Sequence, residues 1–280
     1  MQKNKKFIIK EDGKLEKYNE EKIRQSLIKA GADPETANYT VKSINRKFKN
    51  KMKSDKIYLE AVRHLGEKNP AAAIRYTLKK AIMDLGPTGF IFEKYIAKIL
   101  SNYGYVTQTG RFVRGYCVEH EVDVIAEKDK YHYMIECKYH NDKDLSSDIK
   151  TVLYVHSRFE DIKKASEKNL NDFNLQQGWL VTNTKVTNEA AKYASCVNLK
   201  IIAWHYPEDK NLEYYIENKK LYPISILNGL KPMHKEILFK NNTITIQDFL
   251  EFTPASLATT IHSNTALANY LFEQVHMLLN

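Results

Sequence analysis

Residues 120–140 read HEVDVIAEKDKYHYMIECKYH, and this stretch decides the fold. Side chains in a strand alternate between two faces, so residues two apart point the same way. Glu121 and Asp123 therefore share a face, while Val122 and Val124 are directed to the core. Glu136 and Lys138 share a face in the second run, with Ile135 and Cys137 opposite. The intervening EKDKYHY suits a polar hairpin, and folding it brings Asp123 beside Glu136 and Lys138.

Upstream, FIFEKYIAKILSNYG (90–104) has the spacing of an amphipathic helix closed by Gly104, and YVTQTGRFVRGYCV (105–118) is strand-like with a glycine-bracketed turn, TGRFVRG, inside it. Downstream, residues 148–170 are helical, GWLVTNT (178–184) is a strand, EAAKYASCV (189–197) a helix and LKIIAWHY (199–206) a strand. This order predicts an α/β domain, a mixed sheet flanked by helices, over residues 88–206.

Residues 1–86 read differently. FIIKEDGKLEKY (7–18) is a β-hairpin around Asp12-Gly13, the dipeptide of a tight type I′ turn. Asn19 is a good N-cap for a first helix, Pro34 opens a second reaching about Asn50, Ser54 caps a third, and residues 70–85 form a fourth. Gly86-Pro87-Thr88-Gly89 marks a domain boundary. Residues 222–280 are expected to form a small helical domain of short helices, with Thr245 and Thr253 as N-caps.

The net charge of +9 suits a polyanionic partner. Residues 1–86 hold 21 Lys and Arg against 11 Asp and Glu, and the other 194 residues hold 22 against 23. The basic excess therefore lies in the N-terminal domain, and the mixed-sheet domain must concentrate positive charge locally. Cys117, Cys137 and Cys196 show no CxxC spacing, which excludes a zinc ribbon and gives no disulfide framework. No apolar run approaches the roughly 20 residues that cross a bilayer, and the charged N-terminus lacks a secretory apolar region. The expectation is a cytoplasmic protein without membrane association.

The trio on the two strands has a chemical use. The carboxylates of Asp123 and Glu136 can hold Mg²⁺ (or Mn²⁺) through oxygen, leaving positions for water and phosphate. Such an ion makes a nucleophile from water, and the Lys138 ammonium can stabilise the transition state or orient the attacking water. Glu121 is expected in a supporting role or paired with a lysine. His120 and His140 flank the strands, where lone histidines are more often structural.

Asp123-x12-Glu136-x-Lys138 on adjacent strands, after a helix carrying Phe92-Glu93, resembles the PD-(D/E)XK nuclease superfamily, and within it the Mrr-type restriction endonucleases. The resemblance covers about residues 88–205 and includes Gly104-Tyr105, WLVTN (179–183) and EAAKYAS (189–195). It implies metal ligation by Asp123 and Glu136, a catalytic Lys138, and a completing carboxylate at Glu93, whose alternative is a solvated helix-start residue. Val122 stands where the short signature has proline. Arg111 and Arg114, in TGRFVRG, are candidates for DNA phosphate contact; the alternative is a solvated hairpin tip.

FIIKEDGKLEKYNEEKIRQSLIKAGA, KSDKIYLEAVRHL and AAAIRYTLKKA resemble the ATP-cone domain, a nucleotide-sensing module, over residues 4–85. The resemblance implies ATP or dATP contacts by Lys10, Glu16, Asn19 and Lys22, with Ser54 where the family often has Thr or Ser. Lys10-Glu11 replaces the usual Lys-Arg pair, and Tyr58 stands where some members have histidine. A cone that serves only as a basic docking domain is the alternative. With no G-x4-GK[ST] loop, nucleotide binding without turnover is expected. The C-terminal segment looks helix-hairpin-helix-like, but its hairpin IHSNTA lacks the glycine that permits close approach to phosphate, so packing or homo-oligomerisation is an equal expectation.

These readings imply a metal-dependent endodeoxyribonuclease of restriction or defence type, gated by adenine nucleotide. The alternatives are a nucleotide-responsive DNA-binding regulator with an inert nuclease fold, or a nuclease for branched DNA.

Overall fold

The structure, a computed structural model, describes residues 6–10 and 13–280. The chain forms two compact units, one of residues 1–81, 225–234 and 252–280, the other of residues 82–224 and 235–251.

The first unit opens with strands β1 (Phe7–Ile9) and β2 (Leu15–Lys17), then helices α1 (Glu20–Lys29) and α2 (Pro34–Lys47). Strand β3 (Met52–Lys53) leads into α3 (Ser54–Lys68) and α4 (Pro70–Tyr76), followed by α5 (Leu78–Met83). The strands form a small sheet in the order β2-β1-β3. The hairpin differs from the expected two-residue turn. Lys10 N donates to Lys14 O at 2.9 Å, which leaves three residues between the paired ends, and Gly13 takes φ +80°. Three-residue hairpin loops use such a left-handed residue. Glu11 and Asp12 lie outside the described residues. Asn19 caps α1 as expected, accepting from Lys22 N at 3.0 Å. Ser54 does not cap α3: it is the first helical residue, and Lys53 takes the cap position without a side-chain bond. Leu27, Ala37, Val41, Ile44, Ala61 and Leu65 form the core at helical spacing.

The second unit carries α6 (Phe90–Asn102), β4 (Val106–Arg114), β5 (Glu119–Lys128), β6 (Tyr131–Lys138), β7 (Ser146–Ser147), α7 (Ile149–Glu167), β8 (Leu175–Thr182), β9 (Lys185–Val186), α8 (Asn188–Cys196), β10 (Lys200–Ile202) and α9 (Leu212–Asn218). Its main sheet has the order β10-β8-β6-β5-β4. β4, β5 and β6 pair antiparallel, while β6, β8 and β10 pair parallel, so the sheet is mixed as expected. Between β5 and β6, Asp129 and Lys130 both have positive φ, the signature of a two-residue type I′ turn. α6 packs on β4 and β5, and α7 on β8 and α8.

TGRFVRG is not a turn. Residues 109–114 belong to β4, which stays in register with β5 from Val106↔Glu127 to Arg114↔Glu119. The strand absorbs Gly110 at φ +60°, and the ladder outweighs the local turn preference of the glycines. Helix α9, capped by Asn211, falls in a stretch the periodicity leaves unassigned.

The C-terminal residues form α10 (Pro232–Lys240), α11 (Ile246–Phe249), α12 (Pro254–Thr260) and α13 (Thr265–Leu279). Thr245 and Thr253 both form capping boxes, as their N-cap assignment requires. The expected separate domain over 222–280 meets a different partition: residues 235–251 cluster with the sheet unit and residues 252–280 with the first. In the connection between α12 and α13, His262 takes φ +51°, the conformation glycine would supply.

Candidate active site

The β5–β6 ladder runs from Lys128↔Tyr131 to Val124↔Ile135 and stops there. The carboxylates begin at the next residues. Beyond the last rung, Asp123 Oδ2 accepts from Cys137 N at 2.7 Å, so a side chain replaces the backbone ladder. β6 meanwhile continues along β8, with Glu136↔Leu180, Cys137↔Val181 and Lys138↔Thr182 in register. The buried Val122, Val124, Ile135 and Cys137 anchor the two strands. That anchoring leaves Asp123 and Glu136 half-buried and Lys138 exposed.

Glu93 joins them from the first turn of α6. Burial, then the charges of Asp123 and Glu121, push its carboxyl up to about 7. Burial and the Asp123 charge push Glu136 up to about 7, against the opposing pull of Arg158 and Lys138. Burial also raises Asp123, against the bond from Cys137 N. Each shift has the same origin: acidic groups crowded at the edge of a low-dielectric interior, with too little positive charge to offset them. The cluster thus brings together Asp123, Glu136, Glu93 and Lys138, with Glu121 exposed at its margin.

Arg158 completes the arrangement and was not singled out from the sequence. Its Nη1 donates to Glu136 Oε2 and its Nη2 to the Glu121 carbonyl. The signal was present: α7 buries a stripe of Val152, Val155, Phe159 and Ile162, and Arg158 interrupts that stripe. A charged residue on a buried face requires a partner.

The flanking histidines are absorbed by structure. His120 Nε2 lies 2.8 Å from Asp161 Oδ2, and His140 Nε2 lies 3.1 Å from Ser147 Oγ. Asn183, fully buried, bonds both ways to the His140 backbone, at 2.8 and 2.9 Å, and so fixes the chain just after Lys138. On β4, Arg114 stands opposite Glu119 and Phe112 opposite Glu121, whereas Arg111 stands opposite the buried Val122. The two arginines are therefore differently placed with respect to the carboxylates.

The site offers oxygen donors only, the set a hard divalent cation takes. Their raised affinity for protons reflects burial first and the neighbouring negative charges second, and a cation would offset the latter. Among the described residues, no group of three or more His, Cys, Asp or Glu is assembled as a metal cage. The donors therefore fit a cation in kind, with the Arg158 guanidinium now on one Glu136 oxygen.

In the first unit, Lys10 and Lys22 both reach Glu16, at 3.4 and 3.0 Å. The Lys22 bond above all holds Glu16 below its ordinary range. A cavity of about 540 Å³ is lined by residues 16–22, which include Glu16, Asn19 and Lys22. Ser54 lies outside that lining. It follows Lys53, which pairs with Ile9, and its Oγ is buried without a hydrogen-bond partner.

No helix among the described residues is long and apolar enough to cross a membrane. Residues 87–208 match the restriction endonuclease family, Mrr_cat, and residues 6–82 match the ATP cone domain. An uncharacterised protein of Archaeoglobus fulgidus is 42% identical over 143 residues, which span 51% of this chain and 75% of that protein. The crystal structure of AF1548, a protein of unknown function, is 32% identical, with a TM-score of 0.57, over 69% of this chain and 98% of that one. A structure of the MspJI restriction endonuclease with a 27-mer oligonucleotide is 12% identical, with a TM-score of 0.33, over 69% of this chain and 36% of that one. The sheet that carries Asp123, Glu136 and Lys138 thus lies in a domain of the restriction endonuclease family Mrr_cat, over residues 87–208, which follows an N-terminal ATP cone domain over residues 6–82.

Proposed function

We propose that this protein is a metal-dependent endodeoxyribonuclease of restriction or defence type, regulated by ATP or dATP at its N-terminal cone. The observation that carries the reading is the convergence of Asp123, Glu136 and Glu93 beside Lys138, where the β5–β6 ladder ends. Asp123 and Glu136 would hold Mg²⁺ or Mn²⁺, with Glu93 completing the set. A bound divalent ion supplies a water nucleophile at neutral pH and offsets charge on the phosphate.

The chain's own groups do the rest. Lys138, exposed at the end of β6, orients the attacking water or stabilises charge as it develops on the scissile phosphate. The backbone of Cys137 fixes the Asp123 carboxylate, and Asn183 fixes the segment after Lys138. Arg114 and Arg111, both on β4, would contact the DNA backbone. In the cone, Lys10 and Lys22 would neutralise phosphates, with Glu16, Asn19 and Ser54 completing the nucleotide contacts. The cytoplasm is the compartment this reading assigns.

Plasmid cleavage with Mg²⁺ or Mn²⁺, with and without ATP and dATP, beside Glu136→Ala, tests the proposal. Cleavage lost in the variant and altered by nucleotide supports it. Equal background in both proteins, with DNA still bound, would replace it with the nucleotide-responsive regulator.

A further inference from the structure

Arg158 is 8% exposed, on the inward stripe of α7. Its guanidinium bonds Glu136 Oε2 and the Glu121 carbonyl, while its Nε is buried without a partner. A buried arginine held only for stability is a poor solution. A well-packed apolar residue is often as good or better, and an unsatisfied buried donor carries its full desolvation cost. One turn earlier, Tyr154 sets its ring 5.1 Å from the guanidinium and is 57% exposed, so the charge lies directly beneath a solvent-facing ring. The guanidinium is therefore buried, incompletely bonded and close to the surface, seated on the carboxylate oxygen that a cation would need.

We propose that Arg158 is an internal counter-ion that competes with a divalent cation for Glu136 and thereby sets the metal affinity of the site. The inference rests on the metal-nuclease reading. Glu93, Glu121, Asp123 and Glu136 crowd together, and without a bound ion Arg158 is the buried positive charge against them. A cation on Asp123 and Glu136 meets the guanidinium as a like charge and as a rival for Oε2, so binding must displace or weaken the Arg158–Glu136 pair. Whatever competes with a ligand weakens its apparent affinity. The Nε without a partner and the exposed Tyr154 ring over the guanidinium mean that few contacts oppose a weakening of the pair. Arg158 is thus a positioning residue, acting through Glu136.

The test is calorimetric titration of the full chain with Mn²⁺, comparing wild type, Arg158→Met, Arg158→Lys and Glu136→Ala. Arg158→Met removes the rival charge at similar volume and is expected to bind Mn²⁺ at least about tenfold tighter. Arg158→Lys keeps a charge but loses the fork that also grips the Glu121 carbonyl, and is expected to be about two- to fivefold tighter than wild type. Should Arg158→Met fail to fold, Arg158→Lys decides the matter alone. Affinity unchanged or weakened in the folded variants overturns the competition. If wild type binds Mn²⁺ and cleaves DNA while the variants are no tighter, the competition fails and the nuclease reading stands. If no protein shows saturable Mn²⁺ binding that Glu136→Ala abolishes, both fail together.

Discussion

Asp161 holds the connection between β4 and β5, and its removal should be felt in both stability and pH dependence. Its carboxylate accepts from Cys117 N at 2.9 Å and Val118 N at 3.4 Å, and it lies 2.8 Å from His120 Nε2. Gly115 N closes the same turn on Val118 O at 2.8 Å. Burial acts to raise the carboxyl, but the His120 bond and the backbone N–H groups outweigh it and bring it down to about 2. From an ordinary 3.8, that shift would correspond to roughly 2.5 kcal/mol in a fully buried site. The turn it serves is exposed, so solvent screening reduces the ionisation contribution to about 1–1.5 kcal/mol. Asp161→Ala also strands its partners, for a total loss of about 2 kcal/mol at pH 7. That is roughly 4–8 °C in thermal midpoint. The sign is fixed by the depressed carboxyl. Its stabilisation is fully present above the unfolded value near 4 and is lost as pH falls toward 2. Thermal unfolding of wild type and Asp161→Ala from pH 7 down to pH 2 should show the gap narrow by about 1–1.5 kcal/mol in that window, leaving the part due to stranded partners. A gap that stays constant to pH 2, or a loss at pH 7 below about 0.5 kcal/mol, would refute the assignment.

Four further substitutions probe the site, the core and the cone. Asp123→Asn and Glu136→Gln should each lower DNA cleavage at least about 100-fold with far-UV circular dichroism unchanged, and near-wild-type rates in either would remove that carboxylate from the site. Gly178→Ala places a Cβ 2.6 Å from Leu199 Cδ2 and 3.2 Å from Phe159 Cγ, an overpacking expected to cost about 1–3 kcal/mol in urea unfolding. Lys22→Ala should weaken ATP and dATP binding about tenfold by equilibrium titration, since it removes a phosphate-reaching charge at the cone cavity, and unchanged binding would place the nucleotide elsewhere.

The two site strands were readable because a strand repeats every two residues. Val122, Val124, Ile135 and Cys137 mark the inward face, and their neighbours Asp123, Glu136 and Lys138 must then face elsewhere. The helix caps at Asn19, Thr245 and Thr253 were readable for a similar reason, since a cap is a contact across three residues. Ser54 shows the limit of that argument. Its residue type suits a cap, but the helix starts one residue earlier because Lys53 is already committed to pairing with Ile9.

TGRFVRG shows the same limit in a strand. Glycine composition argues for a turn, yet β5 supplies partners on both sides of Gly110, from Thr109↔Val124 to Arg114↔Glu119, and a ladder between residues up to fifteen positions apart is invisible in a local window. The sequence by itself determined the mixed α/β class, the N-terminal hairpin and helices, and the faces shared by Glu121 with Asp123 and by Glu136 with Lys138, because each follows from short-range periodicity; the cone and nuclease readings of these segments came from resemblance. Only the tertiary structure decided that Glu93 closes on Asp123 and Glu136 from α6, that Arg158 neutralises Glu136 from α7, and that residues 235–251 and 252–280 part company. Those are contacts between distant segments, set by which apolar surfaces bury one another, and no local pattern encodes them.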